Sequence, residues 1–437
     1  AKTRKEKLDY QKKDAQIRKD IADLLEHSGW DTSTAKKIAT FDLYDQNASA
    51  DFFDPEWMFG IKNPSPSAGA PSHKIPSPLV GEGSGEGGFD VVIGNPPYVV
   101  SNDKRLRDIF QESTYGRPNL YGFFIHRVLV SVLCQNGVLS FINPRTLLTD
   151  AYTSALRKFI LKNARVNLVL NIVDRRNVFE SVLQSTIVNI FKKSQADMPV
   201  RVKSIETKED LESSNDILVS VSDFLFGDNA QIFIVAKDAN AYSIFSKIKP
   251  LKSFEQMGLS FATGKIQWDL YKNVLSNRQT SRSTRLIWAE NIQRYTFAPT
   301  KHRMDKMFIN ASLQNCSPIT EITIIAQRVT AVEQPRRIIA TLVSPKEFGT
   351  PVQCENHTSY LEKNNGQLDL RLALGLMNSS FFDFIFRHIN SNTQVSAGEL
   401  NSLPFPKINQ KHDEKFITLV DQILAAKKKD PNADTSA

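Results

Sequence analysis

Residues 89–98 read FDVVIGNPPY and bring together an amide, two prolines and an aromatic ring. Proline has no backbone N–H and fixes its own φ, and it also keeps the preceding residue out of the helical region. Asn95, Pro96, Pro97 and Tyr98 are therefore predicted to form a stiff, non-helical loop. The loop offers two acceptors, Asn95 Oδ1 and the Pro96 carbonyl oxygen, beside the flat ring of Tyr98.

The chemistry that fits these groups is methylation of an amino nitrogen on a nucleobase. The lone pair of that nitrogen is delocalised into the ring, so the amine is a poor nucleophile. Two acceptors stabilise the positive charge that builds as the nitrogen attacks a methyl group. Stacking on an aromatic side chain contributes roughly 1–3 kcal/mol per base, and a base in a duplex must first be flipped out. The alternative is an ordinary Pro-Pro turn with a tyrosine at the surface.

The loop needs an element to position it, and the residues just before it supply one. Residues 89–93 form a short apolar run rich in β-branched residues and interrupted only by Asp90. This pattern predicts a buried strand of a parallel sheet. The run stops at Gly94, which places the loop at the carboxyl end of the strand, where open α/β sheets bind ligands.

The residues that follow alternate between helix and strand patterns. Residues 119–133 and 155–163 have the composition of helices, and residues 137–142 and 166–173 that of buried strands. Strands that alternate with helical crossovers indicate a parallel, doubly wound sheet. The predicted fold class is α/β, with part of a doubly wound, Rossmann-like sheet followed by a mixed α/β domain.

This arrangement resembles the amino-group DNA methyltransferases, specifically the gamma-type N6-adenine enzymes of type IIG-like restriction-modification systems. The resemblance rests on GNPPY after FDVVI and on the order of helices and strands that follows. It also rests on residues 372–406, which are similar to the closing stretch of that family's target-recognition domain. It implies transfer of a methyl group from S-adenosylmethionine to a flipped adenine in double-stranded DNA, as part of a restriction-modification or similar phage-defence enzyme.

The resemblance also assigns roles to particular residues. Residues 95–98 match the catalytic loop, and Phe179, in VFESVLQST, matches an aromatic residue that binds the other face of the flipped base. Phe124, in NLYGFFIHRVL, lies in the motif that helps to line the adenine of the cofactor. Core packing is the alternative for Phe124 and Phe179. His126, on the same helix as Phe124, is expected to be a structural or surface histidine.

Composition and patterning divide the chain into five segments. They are an N-terminal helical segment with an aromatic lead-in (residues 1–60), a disordered Pro/Gly/Ser-rich linker (61–88), the catalytic half of a methyltransferase (89–195), a target-recognition, DNA-binding domain (196–410), and a C-terminal helix with a tail (411–437).

Basic residues in the predicted DNA-binding domain are candidates for contact with phosphate. They cluster between residues 278 and 337, where Trp288, Tyr295 and Phe297 lie among them. Phosphate contacts give affinity and base contacts give specificity. A solvated basic face is the alternative for each of them. The candidates are Arg282, Arg285, Arg294, Arg303, Arg336 and Arg337.

Composition limits the class of protein. With 437 residues, of which 41% are hydrophobic, the chain is long enough for two or three domains. No run approaches the roughly 20 apolar residues of a membrane span, and three widely separated cysteines favour a reducing cytoplasm. The net charge of +8 suits a polyanionic partner. No metal-binding or P-loop motif is present, so neither a metal nor an ATP motor is predicted.

One part of the family pattern is missing. Gamma-type enzymes hold S-adenosylmethionine mainly through a Gly-rich loop after their first strand, and no strand, glycine loop and helix precede residue 89. We therefore expect a C-terminal part of a longer methyltransferase, whose upstream part carries the main cofactor motif and any fused nuclease. Two other functions stay open: a DNA-binding specificity module without catalysis, and a methyltransferase that acts on RNA or on protein glutamine.

Overall fold

The computed structural model divides into two compact units, Ala1–Phe89 and Asp90–Ala437. The described residues are 4–29, 31–40, 88–173, 185–207, 209–213, 216–227, 232–299, 303–310, 316–331, 334–406 and 410–435. The predicted aromatic lead-in, nearly all of the predicted linker and Phe179 lie outside them.

The first unit contains two helices, α1 (Arg4–His27) and α2 (Thr32–Thr40). Helix α2 buries Ala35 and Ala39. The guanidinium of Arg18 on α1 donates to the carbonyl oxygen of Ala39 at 3.2 Å, and its Nε lies 2.7 Å from the Asp14 carboxylate. The solvated helix that the mixed charges predict is therefore held to α2 by small apolar residues and one polar contact.

From Phe89 onward the chain alternates between strands and helices. The helices are α3 (Lys104–Ile109), α4 (Leu120–Arg127), α5 (Thr146–Thr149), α6 (Ser154–Asn163), α7 (Asp210–Ser213), α8 (Val221–Phe224), α9 (Ala239–Ile248), α10 (Leu370–Met377), α11 (Ser380–Ile389), α12 (Ala397–Ser402) and α13 (Gln410–Lys429). The strands are β1 (Phe89–Gly94), β2 (Leu133–Pro144), β3 (Arg165–Ile172), β4 (Thr186–Lys192), β5 (Val200–Ile205), β6 (Ile217–Val219), β7 (Leu225–Phe226), β8 (Ile232–Phe233), β9 (Leu259–Thr263), β10 (Leu275–Ser276), β11 (Thr284–Ile287), β12 (Ile292–Gln293), β13 (Thr296–Phe297), β14 (Phe308–Ile309), β15 (Thr323–Gln327), β16 (Ala340–Val343), β17 (Val352–Cys354) and β18 (Thr358–Asn364).

A six-stranded sheet has the order β1-β2-β4-β3-β5-β6. Strands β2 and β3 both run antiparallel to β4, while β5 runs parallel to β3 and β6 antiparallel to β5. The α/β class is confirmed, but the prediction of a parallel sheet is wrong for β4 and β6. A parallel pair needs a crossover, usually a helix, whereas a loop is enough to join antiparallel strands. The sequence between β3 and β4 has the pattern of a loop.

Helices α4 and α6 share one hydrophobic core with this sheet. Tyr121 and Ile125 of α4, Ile160 of α6, and Leu139 and Val169 of the sheet are all at most 1% exposed. Full burial of side chains of this size contributes about 1.5–3 kcal/mol each. This packing fixes α4 against the strands that carry the candidate site.

A buried arginine holds the segment after β2 in place. Arg157 on α6 is 0% exposed and donates to the carbonyl oxygens of Leu147 and Asp150 at 3.0 and 2.9 Å. Burial lowers the pKa of Arg157 to about 10, so the guanidinium remains charged at neutral pH. Its donors satisfy carbonyls that the short helix α5 leaves unpaired.

The rest of the second unit contains two four-stranded sheets, with the orders β16-β15-β18-β9 and β10-β14-β11-β17. The first is antiparallel throughout, and the second combines antiparallel pairs with the parallel pair β11 and β17. Strands β5 and β6 extend the six-stranded sheet beyond residue 195, where the catalytic half was predicted to end. That sheet therefore continues to Val219.

Candidate active site

The predicted catalytic loop leaves the sheet at the end of β1. A side chain at Gly94 would meet the ring of Phe141 on β2 at 3.1 Å, so glycine allows the two strands to approach closely at this point. Asn95 and Pro97 are exposed, whereas Pro96 between them is buried. Asn95 is therefore accessible to a ligand, while the adjacent Pro96 is packed against the protein.

Two contacts made by Tyr98 hold the other end of the loop in place. Its hydroxyl donates to the carbonyl oxygen of Ile142 on β2 at 2.9 Å, and its ring meets that of Tyr121 edge-on, with centroids 6.2 Å apart. Burial raises the pKa of Tyr98 to about 12, so the hydroxyl remains a donor at neutral pH. The ring is half-buried, and its stacking on a base stays a prediction.

Two backbone hydrogen bonds hold the chain just after the loop. The Ser101 amide donates to the Pro118 carbonyl oxygen at 2.9 Å, and the Leu120 amide donates to the Val99 carbonyl oxygen at 2.8 Å. They tie the loop to the start of α4, which is itself packed on the sheet. These contacts add to the stiffness that the prolines impose.

Helix α4 presents one aromatic side chain outward. Phe124 is 47% exposed, while its neighbours Phe123 and Ile125 are buried. Core packing is therefore excluded for Phe124, and its contact with a cofactor stays a prediction. The prediction of a structural role for His126 is confirmed, because its ring stacks on Phe159 at 4.0 Å and burial lowers its pKa.

Three buried asparagines that were not predicted from the sequence lie near the carboxyl ends of β2 and β3. Asn143 on β2, Asn171 on β3 and Asn189 on β4 are at most 3% exposed, and the strand register places them on one face of the sheet. Asn189 Nδ2 donates to Asn143 Oδ1 at 3.2 Å. Within the described part of the chain, Asn143 Nδ2, Asn171 Oδ1 and Asn189 Oδ1 lack a hydrogen-bond partner. The available signal was an asparagine among the apolar residues of each of the three strands.

Two of the six candidate arginines are buried. Arg337 is 1% exposed, and its guanidinium donates to side chains and a carbonyl within the fold. Arg285 is 8% exposed and lies over the rings of Phe308 and Phe348 at 5.2 and 5.7 Å. The prediction of a phosphate contact is wrong for Arg337, whose donors are used internally, and the position of Arg285 does not support it.

The other four candidates retain some access to solvent. Arg282 is exposed, and Arg336 is partly exposed at 3.9 Å from the Asp383 carboxylate. Arg294 donates to the Asn378 carbonyl oxygen at 3.2 Å, and Arg303 lies over the rings of two tryptophans. Their contact with DNA stays a prediction.

Among the described residues, no group of three or more His, Cys, Asp or Glu side chains could hold a metal ion. None of the described helices is long and apolar enough to cross a membrane.

Comparison with protein families gives a match to the first part of the chain. Residues 2–179 match the family described as Eco57I restriction-modification methylase. Over these residues, the chain is similar to the Eco57I family. The resemblance deduced from GNPPY is thereby confirmed, and a methylase of this family implies S-adenosylmethionine as the cofactor. The match includes the catalytic loop, Phe124 and Phe179.

Two curated relatives match a longer part of the chain than the family model does. The type II methyltransferase M.PstI of Providencia stuartii is 26% identical over 342 residues, which cover 74% of this chain and 66% of the relative. The type II methyltransferase M.BsuBI of Bacillus subtilis is 24% identical over 334 residues, 73% of this chain and 65% of the relative. The chain thus spans about two thirds of the length of these relatives.

Solved structures of restriction-modification enzymes are also similar in part to this chain. The type IIL enzyme MmeI in complex with DNA has a TM-score of 0.48 and 12% identity, covering 78% of this chain and 50% of that one. The type IIG endonuclease BpuSI has a TM-score of 0.33 and 14% identity, covering 76% of this chain and 49% of that one.

Proposed function

We propose that this chain comprises the catalytic-loop half and the target-recognition domain of an adenine-N6 DNA methyltransferase in a restriction-modification or similar phage-defence system. The observation that carries the proposal is the loop after β1, where an exposed asparagine follows a strand and precedes a buried proline. Tyr98 and the start of α4 hold this loop in place. Positioning of a bound base by such a rigid loop supplies a large part of a rate enhancement.

In the proposed mechanism, Asn95 Oδ1 and the Pro96 carbonyl oxygen accept hydrogen bonds from the amino group of a flipped adenine. S-adenosylmethionine, when bound, supplies an electrophilic methyl group on a sulfonium. The amine nitrogen would gain positive charge as it takes the methyl group, the cofactor would leave as a neutral thioether, and the nitrogen would then lose one proton to water. The two oxygen atoms stabilise the charge on nitrogen more strongly in the transition state than in the bound base, which is the condition for catalysis. Tyr98, and Phe179 by the family resemblance, hold the base ring.

The cofactor pocket is proposed to be completed at the open edge of β1. Strand β1 lies at one end of the described sheet, and its Val91 and Ile93 are 55% and 77% exposed. Apolar strands of α/β sheets are normally covered on both faces, and an open apolar edge is a site for pairing with another strand. Phe124 is exposed and suited to packing against an adenine ring. We propose that strands carrying the Gly-rich cofactor loop pair with this edge.

This arrangement predicts that the chain alone binds S-adenosylmethionine weakly or not at all. Half a pocket supplies few contacts, so the expected dissociation constant is on the order of 1 mM or weaker, equivalent to about 4 kcal/mol of binding free energy. Isothermal titration calorimetry measures it, and the protein from the complete reading frame is the positive control. Micromolar binding by the chain alone would contradict the shared pocket without affecting the role of the loop.

The proposed activity is tested with the protein from the complete reading frame and S-adenosylmethionine labelled in its methyl group. Transfer to duplex DNA is expected, with N6-methyladenine identified by mass spectrometry after nuclease digestion. Transfer only to RNA, or only to glutamine in protein, would replace DNA as the substrate. Binding of duplex DNA with no transfer to any substrate would favour the specificity module.

A further inference from the structure

A group of basic side chains surrounds one indole ring far along the chain from the catalytic loop. The ammonium groups of Lys272 and Lys306 lie 5.0 and 4.7 Å from the centre of the Trp268 ring, and the guanidinium of Arg303 lies 4.7 Å from it. We call these four residues the Trp268 patch. Lys272 and Trp268 were not among the residues selected from the sequence.

The fold brings the patch together from two segments. Strand β10, which follows Lys272, pairs antiparallel with β14, which follows Lys306, through Leu275 opposite Ile309. The indole N–H of the buried Trp288 donates to the Lys306 carbonyl oxygen at 3.1 Å. These contacts fix the backbone of the two segments that carry Lys272 and Lys306.

Arg303 has a different position from the two lysines. Its guanidinium lies 4.7 Å from the Trp268 ring and 4.9 Å from the Trp288 ring, and those rings are 6.3 Å apart. A guanidinium between two indoles gains cation–π attraction from both. Arg303 is therefore part of the base of the patch, and the lysines are its outer charges. Lys272 is exposed, and the Lys306 side chain is 25% exposed.

The two lysines of the patch place like charges near each other. With each cation at most 5.0 Å from the ring centre, no two are more than about 10 Å apart. At that distance two unit charges repel by about 0.4 kcal/mol even in water, whereas a cation–π contact at an exposed site contributes only about 0.5–1 kcal/mol. The carboxylate of Asp305 lies 3.8 Å from Lys306 but is 69% exposed, and such an ion pair contributes little. A polyanion with closely spaced charges offsets the repulsion between these cations far better than the exposed carboxylate of Asp305 does.

We propose that the Trp268 patch binds the DNA backbone. Lys272 and Lys306 contact phosphates, and Trp268 and Arg303 form the rigid base that supports them. We call this arrangement of the patch the clamp. Each strand of a duplex carries one phosphate per roughly 3.4 Å of rise, so two cations within about 10 Å of each other can contact neighbouring phosphates. Because cations surround the Trp268 ring, little of it is left for a base to stack on. The clamp therefore gives affinity and orientation without reading sequence. This inference rests on the proposed function, because it takes duplex DNA as the substrate.

The test compares wild type with the double variant Lys272→Ala/Lys306→Ala, using the complete protein and the anisotropy of a fluorescein-labelled 25-base-pair duplex of random sequence. Loss of two phosphate contacts is expected to reduce the slope of log affinity against log salt by about 1.8, which at 0.1 M salt is a loss of affinity on the order of 10-fold or more.

A matched control removes two exposed lysines from α13, in the variant Lys415→Ala/Lys428→Ala, and is expected to leave the slope nearly unchanged. A second pair, Lys272→Gln/Lys306→Gln, keeps long polar side chains if the alanine pair does not fold. An unchanged slope in the folded lysine variants overturns the clamp while leaving the proposed function intact. Poly-glutamate that displaces the duplex equally well per charge also overturns it, in favour of an acidic protein partner. Failure of wild type to bind any duplex defeats both proposals.

Discussion

Replacement of Asn95 by alanine is expected to abolish methyl transfer while duplex DNA binds as in the wild type. Asn95 Oδ1 is one of only two acceptors proposed for the target amine, and removal of one preorganised transition-state contact typically costs about 10²–10³-fold in rate. The remaining acceptor also loses its effect if the amine rotates away from the methyl group, so the expected loss is at the upper end of that range or beyond. Asn95 is exposed, and substitutions at exposed positions usually change the free energy of unfolding by about 0.5 kcal/mol or less.

The measurement is single-turnover methyl transfer by the complete protein at saturating DNA and cofactor, alongside duplex affinity by anisotropy. Asn240→Ala provides the matched control, since Asn240 is exposed on α9, far along the chain from the loop. Its rate and affinity are expected to equal those of the wild type. Methyl transfer by Asn95→Ala at a rate near that of the control would remove Asn95 from the mechanism. Loss of DNA binding together with activity would instead assign Asn95 to recognition of the duplex.

The catalytic loop was predictable because its conformation is local. Proline restricts the backbone in any sequence context, which makes the conformation around Pro96 and Pro97 predictable. The strand before them is evident from the five-residue apolar run at 89–93. The Tyr98 hydrogen bond was not predictable, because its acceptor, Ile142, is 44 residues away and its approach depends on the pairing of β1 with β2. The direction of β4 was missed for a similar reason, since it depends on which strands flank it.

The DNA-binding surface was predicted less well because composition does not separate buried from exposed arginines. Arg282 and Arg337 were selected by the same argument, yet one is exposed and the other is enclosed by residues distant in sequence. The partners of Arg337 include Asn390 and Asn392, 53 and 55 residues away. Lys272 was passed over because its partner Trp268 becomes significant only when Arg303 and Lys306 lie beside the same ring.

The Arg337 side chain is at the centre of a buried polar network that joins the loop before β16 to α11. Its Nε donates to Thr330 Oγ1 at 3.2 Å, and one terminal nitrogen donates to Asn390 Oδ1 at 3.1 Å and to the Asn392 carbonyl oxygen at 2.7 Å. Its guanidinium also lies 5.3 Å from the Phe386 ring. Hydrogen bonds that involve a charged group contribute about 1.5–3 kcal/mol each, and a buried acceptor left without a partner costs a further penalty.

Arg337→Met is therefore expected to lower the free energy of unfolding by about 3–5 kcal/mol, because three acceptors lose their charged donor. At about 2–4 °C per kcal/mol, the midpoint of thermal unfolding should fall by roughly 6 °C or more. Thermal unfolding followed by circular dichroism measures this change, and DNA affinity is compared well below both midpoints, where the folded variant should bind like the wild type. Arg282→Met is the matched control with the opposite pattern, because its exposed side chain should leave the midpoint within about 1 °C while its loss weakens DNA binding. If Arg337→Met unfolds at the wild-type midpoint but binds DNA more weakly, Arg337 contacts phosphate and does not stabilise the fold. A side chain that holds the fold together cannot be removed without lowering the free energy of unfolding.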